Sequence, residues 1–171
     1  MQEVEHFQNK AEHDELTELY NREGFNRRYL ELRGDEESYY TVAILDFDDF
    51  KKVNDTLGHA GGDEALKFLA DTIRKAVNGD GIAARYGGDE FLIFLSEVDK
   101  TEVKDIFKRL VNAMNTDFTY EGKTITLSIS LGAICKKGFP DKELILKKAD
   151  KLLYDVKRVG KNGYNVDYVD E

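Results

Sequence analysis

The ten residues RYGGDEFLIF, from Arg85 to Phe94, place two glycines and two acids between two short apolar segments. The flanking segments GIAARYG and EFLIFLS are typical of strands, so the stretch predicts a β-hairpin. A hairpin turn by itself needs glycine or asparagine and at most one acid. The second acid, Glu90, leaves two interpretations open: a solvated tight turn, or a turn that carries chemistry.

Length and composition indicate one compact globular domain. The chain has 171 residues, 41% of them hydrophobic and 35% charged, with one proline and one cysteine. A single cysteine cannot form an internal disulfide, so we expect a reducing, cytoplasmic setting. The net charge of −9 disfavours binding to nucleic acid, but it permits one small anion held by a metal and lysines. No apolar run reaches the roughly 20 residues that a membrane span needs, so we expect no membrane contact by this domain.

The hydrophobic pattern predicts alternating strands and helices. The run from Tyr40 to Asp48 reads as a strand buried on both faces, and the helix after it is interrupted between Gly58 and Gly62. Residues 2–21 are compatible with a helix, and residues 123–134 alternate as one half-buried strand should. The order predicts an α+β, ferredoxin-like antiparallel sheet with helices packed on one face. We expect a leading helix over residues 1–13 and the domain proper over residues 14–171.

Acids cluster at the predicted ends of two neighbouring strands, in LDFDDF and in GGDEF. If these strands are central, one rim of the sheet holds Asp46, Asp48, Asp89 and Glu90. Crowded carboxylates repel one another unless a cation neutralises them, and oxygen ligands suit Mg²⁺ or Mn²⁺. Gly87 and Gly88 let the backbone approach a ligand that a Cβ would block. A metal–nucleotide site therefore explains this pattern better than two solvated turns.

The motif RYGGDEF together with DFDDFKKVNDTLGHAGGD resembles the GGDEF domain family, the diguanylate cyclases. The resemblance runs from DELTELYNREGF to ADKLLYDVKRVGKNGYN, which is almost the whole chain. It implies a fold similar to the palm of nucleotide polymerases and to class III nucleotidyl cyclases. It also implies condensation of two GTP molecules into cyclic di-GMP, with release of two pyrophosphates, by a homodimer in which each domain binds one GTP. An upstream sensor domain is a further expectation.

The resemblance assigns roles to the acids and to one lysine. Asp46 and the Phe47 carbonyl match metal ligands, and Asp89 matches a metal-binding carboxylate. Glu90 matches a residue that supports either the metal or the 3′-hydroxyl, and these two roles stay open. Lys51 joins Asp89 and Glu90 as an expected catalytic residue.

The resemblance also implies residues that bind the substrate. Asn54 and Asp63 match positions that read guanine, since a carboxylate accepts hydrogen bonds from guanine N1–H and the exocyclic amine. Phe50 belongs to the same segment. Lys157 and Lys161, predicted one turn apart on the last helix, match phosphate-contacting positions together with Lys51.

One family feature is missing from the sequence. Many members have an R-x-x-D motif ahead of the hairpin, where the product binds and inhibits, and this chain has Asn78 and Gly81 in those positions, with Asp80 one residue out of register. We therefore expect no such inhibition.

Two alternatives to a cyclase remain open. One is a non-catalytic domain that binds GTP and signals through protein partners. The other is a structural dimerisation module, which leaves the acid clustering unexplained.

Overall fold

The computed structural model describes residues 11–170. Their helices and strands follow in chain order as α1 (Arg22–Glu31), β1 (Tyr39–Phe47), α2 (Phe50–Val77), β2 (Gly81–Gly87), β3 (Glu90–Ser96), α3 (Lys100–Met114), β4 (Asp117–Tyr120), β5 (Lys123–Thr126), β6 (Ile129–Lys137), α4 (Lys142–Val159) and β7 (Gly163–Val169). None of these helices is both long and apolar enough to cross a membrane. The predicted hairpin is confirmed as β2 and β3, which pair antiparallel around the Gly-Gly turn.

The central sheet has five strands in the order β2-β3-β1-β6-β7. β1 lies in the middle and pairs antiparallel with both β3 and β6, whereas β7 runs parallel to β6. The predicted α+β class is confirmed, with the difference that the sheet is mixed. Because α4 carries the chain from the end of β6 back across the sheet, the last strand starts at the same end as β6 and runs in the same direction.

Helices cover both faces of this sheet, so the prediction of helices on one face is wrong. Along β1, Ala43 and Leu45 point into a core shared with α2 and α3. Val42 and Ile44 point into a second core shared with α1 and α4. The continuous apolar run of β1 is the physical reason, because a strand with no polar face needs cover on both sides.

Residues 123–134 form two strands rather than the single one predicted. β5 pairs with β4 in a separate hairpin, and the chain then turns at Leu127 into β6, whose first seven residues are buried. The alternation of polar and apolar residues is the same in both pieces, so periodicity does not reveal where one sheet ends and another begins.

The N-terminal prediction also changes. Residues 1–10 of the predicted leading helix lie outside the described part of the chain, and the boundary at residue 14 stays a prediction. Residues 13–20 are not helical: Asp14 accepts hydrogen bonds from the backbone and hydroxyl of Thr17, and the chain reverses. The backbone of Tyr20 then forms two hydrogen bonds with β2: its N–H donates to Ala83 O at 3.3 Å, and its carbonyl accepts from Arg85 N–H at 2.9 Å. Tyr20 thus covers that edge of the sheet.

Candidate active site

The register of the central strands brings the two acidic motifs together. Asp46, near the end of β1, lies directly opposite Glu90, the first residue of β3. Asp89 precedes it in the turn, close enough for its charge to raise the pKa of Asp46. The sequence prediction that these acids share one rim is confirmed for these three residues.

Asp46 is the most perturbed acid of the group. Burial is the main cause that raises its pKa from 3.8 to about 6, and the charges of Asp89 and Asp48 add to it, against the opposing effect of Lys157. Lys157 Nζ donates to Asp46 Oδ2 at 2.6 Å. The other oxygen, Asp46 Oδ1, is buried and has no hydrogen-bond partner. A buried carboxylate oxygen without a partner is costly, so Asp46 is poised to accept a cation.

Burial likewise raises the pKa of Asp89 and of Glu90 above their usual values. For Asp89 the effect is opposed by hydrogen bonds from the backbone of Asp89 itself and of Phe47, and by the charge of Lys157. For Glu90 the negative charge of Asp150 on α4 adds to the shift. Three neighbouring carboxyls thus all resist ionisation, a pattern typical of functional sites.

These oxygen ligands suit a divalent cation whose coordination shell is completed by the substrate. Within residues 11–170, no three Asp, Glu, His or Cys side chains converge closely enough to hold an ion by themselves. Mg²⁺ commonly uses only one or two carboxylates together with phosphate oxygens and water. The unpartnered Oδ1 of Asp46 beside Asp89 fits that pattern.

Asp48 does something different from what its neighbours suggest. Its side chain turns inward and is only 8% exposed. It accepts hydrogen bonds from the hydroxyls of Ser128 and Ser130, both at 2.6 Å, and from the backbone N–H of Asn162 at 2.9 Å. Asp48 is therefore a clamp that joins the loop after β1 to β6 and to the end of α4. Asp48 is close enough to Asp46 for its charge to raise the pKa of Asp46, as its predicted place at the rim requires, but both of its oxygens already accept hydrogen bonds.

The predicted phosphate-binding lysines stand around the same loop. Lys157 pairs with Asp46, and Lys161 Nζ donates to Asp49 Oδ1 at 2.8 Å. Lys161 lies beyond the end of α4 in a left-handed conformation, not one turn further along the helix as predicted. Lys51 is exposed in the first turn of α2. The side chains of Lys157 and Lys161 are 36% and 42% exposed, so an anion can reach them from solvent and replace these partners.

The predicted base-reading residues lie on α2, on the two sides of a kink at Gly58, where φ is 78°. Gly62 packs so closely on Asn54 that a Cβ at Gly62 would lie 1.8 Å from Asn54 Oδ1 and 3.5 Å from Phe50 Cζ. Asn54, Phe50 and the second part of α2 therefore meet at one point. Asp63, which follows Gly62, is exposed.

The turn of the hairpin is open on its outer side. Gly88 has a φ of 52° and Gly87 one of 157°, and a Cβ at either would meet no described atom within 4 Å. Arg85 holds the turn from behind: its Nε donates to Gly88 O at 2.8 Å, and its guanidinium pairs with Asp14 at 3.2 Å. A fixed backbone that faces open space is suited to close approach by a ligand.

The positions of the missing inhibitory motif are structural. Asn78 ends α2 in a left-handed conformation. A Cβ at Gly81 would lie 1.8 Å from the carbonyl oxygen of Phe94, so the backbone of β3 leaves no room for a side chain there. Asp80 is exposed in the intervening turn.

Comparisons with known proteins place the chain in a family. The family model described as "Diguanylate cyclase, GGDEF domain" matches residues 11–163. The chain is 33% identical over 159 residues to "Probable diguanylate cyclase DgcT" of Escherichia coli, covering 90% of this chain and 35% of that protein. It is also 32% identical over 159 residues to "Cyclic di-GMP phosphodiesterase NbdA" of Pseudomonas aeruginosa, covering 89% of this chain and 20% of that protein. The chain thus spans about a third or less of the length of these relatives.

A solved structure shares the whole architecture. The coiled coil and GGDEF domain of DgcB from Caulobacter crescentus, solved in complex with c-di-GMP, has a TM-score of 0.88 and 26% identity. The match covers 97% of this chain and 91% of that one. The expected resemblance to GGDEF domains is therefore confirmed for the fold. On the family model and these relatives together, the chain belongs to the GGDEF family of diguanylate cyclase domains.

Proposed function

We propose that this domain is a catalytically competent diguanylate cyclase that condenses two GTP molecules into cyclic di-GMP and releases two pyrophosphates. The observation that carries the proposal is the buried, unpartnered Oδ1 of Asp46 beside Asp89 and Glu90. A domain retained only for packing gains nothing from three acids whose charged forms are disfavoured by burial. In a metal–nucleotide site the same acids are the ligands that the chemistry needs.

Each residue has a place in this proposal. Asp46, the Phe47 carbonyl and Asp89 would hold a divalent cation, Mg²⁺ or Mn²⁺, and Glu90 would support the metal or the 3′-hydroxyl. When bound there, such a cation would supply positive charge that offsets the triphosphate and the departing pyrophosphate. Lys51, Lys157 and Lys161 offset the remaining phosphate charge. The open turn at Gly87 and Gly88 lets the nucleotide lie against the backbone.

Catalysis requires two copies of the domain. Each copy holds one GTP through Phe50, Asn54 and Asp63, and the 3′-hydroxyl of each nucleotide attacks the α-phosphorus of the other. A transient homodimer positions the two nucleotides face to face, so that most of the rate comes from positioning and charge neutralisation. We further propose a cytoplasmic setting, an upstream sensor domain that brings the copies together, and a boundary at residue 14 between a leading helix and the domain.

Incubation with GTP and Mg²⁺, followed by product analysis at rising protein concentration, tests this function. We expect cyclic di-GMP, with a yield per protein that increases with concentration. Asp46→Ala and Asp89→Ala should each abolish product while circular dichroism shows a retained fold, because both acids lie at the rim rather than in the core.

The alternative is a non-catalytic domain that binds GTP and signals through partners, and NbdA, named for the opposite activity, makes it worth testing. Tight binding of GTP with no product at any protein concentration would favour that alternative. Near-normal turnover by either variant would contradict the roles assigned to the two acids.

A further inference from the structure

Two adjacent buried glycines of α2, Gly61 and Gly62, stand where other side chains pack against the helix backbone. Gly62 makes room for Asn54, as described above. Gly61 makes room for a residue from elsewhere: a Cβ there would lie 2.9 Å from Cδ1 of Tyr120, as well as 2.5 Å from Cβ of Leu57. The ring of Tyr120 therefore packs directly on the helix backbone, two residues before Asp63.

Tyr120 belongs to the small hairpin of β4 and β5, which has no strand in common with the central sheet. Its turn, Glu121 and Gly122, has φ values of 47° and 81°, as a tight hairpin requires. The hydroxyls of Thr119 and Thr124 meet across the outer face at 2.7 Å. The inner face carries larger side chains that pack against the core beside α2, namely Phe118, Tyr120 and Ile125.

The base of the hairpin is tied to the other side of the site. The N–H of Leu127 donates to Thr116 O at 2.8 Å, which closes the hairpin. The next residue, Ser128, accepts from the N–H of Asp48 at 2.9 Å and donates its hydroxyl to the Asp48 carboxylate. The hairpin thus contacts the loop after β1 at its base and α2 near its tip.

This bridging contact matters because α2 is not a continuous rod. Gly58 leaves the helical conformation between Asn54 and Asp63, so helical hydrogen bonding does not by itself hold these two residues at a constant separation. Core residues anchor the second part of α2 beyond Asp63, starting at Ala65 and Leu66. The short stretch between the kink and Asp63 is set by what packs on its two glycines, Asn54 on Gly62 and Tyr120 on Gly61. The Tyr120 ring, stacked on Gly61 between the kink and Asp63, is placed to fix it.

We propose that Tyr120 is a positioning residue for guanine recognition: its contact with Gly61 sets where Asp63 stands relative to Asn54. The inference rests on the proposed function and extends it by making the β4–β5 hairpin part of the specificity apparatus. Tyr120 acts through the helix and needs no contact with the nucleotide.

The test measures binding of GDP and IDP in the presence of Mg²⁺ by calorimetry. These diphosphates differ only in the exocyclic amine of guanine. Wild type should prefer GDP by about tenfold, the value of one hydrogen bond to a charged acceptor. In Tyr120→Ala we expect the GDP-to-IDP preference to fall to about threefold or less, because a displaced carboxylate forms that hydrogen bond poorly. Tyr120→Phe keeps the ring and should keep the preference.

Phe118→Ala is the matched control. Phe118 stacks on Phe68 of the same helix with ring centroids 5.6 Å apart, two turns beyond Gly61. The Phe118→Ala substitution removes a similar ring from the same hairpin, so it should lower the free energy of unfolding while leaving the GDP-to-IDP preference unchanged. Gly61→Ala attacks the same contact from the helix side, and it serves where Tyr120→Ala does not fold.

The outcomes separate this inference from the proposed function. A wild-type preference that survives in both Tyr120→Ala and Gly61→Ala overturns the role of Tyr120. An equal loss in Tyr120→Ala and Phe118→Ala also overturns it, since the hairpin would then act through general stability. Wild type that binds neither diphosphate, or binds both equally, contradicts guanine recognition itself and not only the part played by Tyr120.

Discussion

At the scale of single residues, Asp46 and Asp48 show how two acids on one strand end acquire opposite roles. Both oxygens of Asp48 accept hydrogen bonds, from two serine hydroxyls and a backbone N–H, so this carboxylate has a structural role. Asp46 has one oxygen on Lys157 and one without a partner. β1 ends at Phe47, so Asp48 is freed from the strand and turns its carboxylate inward onto the serines. Only Asp46 keeps capacity for a ligand.

The raised pKa of Asp46 predicts a cost to stability at neutral pH. The folded state binds the proton more tightly than the unfolded chain, so ionised Asp46 lowers the free energy of unfolding as pH rises from about 4 through about 6. In metal-free protein at pH 8, Asp46→Asn should therefore raise the free energy of unfolding by about 1 to 3 kcal/mol. The gain should shrink towards zero below about pH 4, which urea unfolding at both pH values checks.

Asp49→Asn is the matched control, since Lys161 holds the pKa of Asp49 below its usual value. Its charge favours the folded state, so this substitution should give no stabilisation at pH 8. A wild type as stable as Asp46→Asn at pH 8 would show that burial does not strain this carboxylate.

Base selection is also decided by single residues. Asp63→Ser removes the acceptor that we assign to the guanine N1–H and amine, while leaving Asn54 in place. A lost hydrogen bond to a charged group is worth about 1.5–3 kcal/mol, so discrimination between GTP and ATP should fall by about tenfold or more. Competition kinetics with both nucleotides measures it. An unchanged preference for GTP would rule out Asp63 as the reader.

At the scale of elements, α4 joins the core to the site. Its middle part packs so closely on β6 that a Cβ at Gly132 would lie 2.3 Å from Ala149 O and 2.4 Å from Leu153 N. Its last turn carries Lys157 to Asp46. The absence of a side chain at Gly132 therefore sets the height of the helix above the sheet, and through it the position of a charged residue in the site.

Gly132→Ala should consequently affect stability and activity together. The added methyl meets backbone atoms that move only if the helix lifts, so we expect a loss of about 1–3 kcal/mol or more in the free energy of unfolding. A lifted α4 also draws Lys157 away from Asp46, so product formation should fall even at temperatures where the variant is folded. Gly163→Ala on the neighbouring β7 is the control, because the added Cβ would lie at an ordinary 3.6 Å from its nearest neighbour, Val156 Cγ1. Full activity in folded Gly132→Ala would contradict this coupling.

At the scale of the whole molecule, regulation by product should differ from that of relatives with the R-x-x-D motif. Asn78 is neutral and is used to end α2, and the main chain of β3 excludes a side chain at Gly81. The two groups expected to hold product phosphate and guanine are thus replaced by a helix cap and a strand contact.

We therefore expect cyclic di-GMP to bind outside the active site weakly or not at all, and any inhibition to be competitive with GTP. Calorimetric titration of product into domain saturated with a non-hydrolysable GTP analogue measures this directly. Asp80→Ala should leave the binding of cyclic di-GMP unchanged, because Asp80 is one residue out of register with the Asp position of the R-x-x-D motif. Tight residual binding of product would show that another surface has taken over the inhibitory role.

Local pattern predicted most of the elements in the described chain. The buried β1, the hairpin around Gly87 and Gly88, and the helices α3 and α4 follow from apolar periodicity and turn residues, which are properties of neighbouring residues. The break between β5 and β6 did not follow, because both pieces alternate alike and the difference lies in which strand each one pairs with. The same applies to β7, whose direction depends on how the chain crosses the sheet after α4.

Three features can be read along the chain alone: acids follow two strands, a glycine pair forms the turn of the hairpin, and the motifs match one family. Which acids remain available depends on the folded chain: serines 80 and 82 residues away occupy both oxygens of Asp48, whereas a lysine 111 residues away occupies only one oxygen of Asp46. The tertiary structure also placed Tyr120 on Gly61, a contact that depends on the hairpin folding over α2. Side-chain partners distant in sequence are set by strand register and helix packing, and these arise only when the whole core forms.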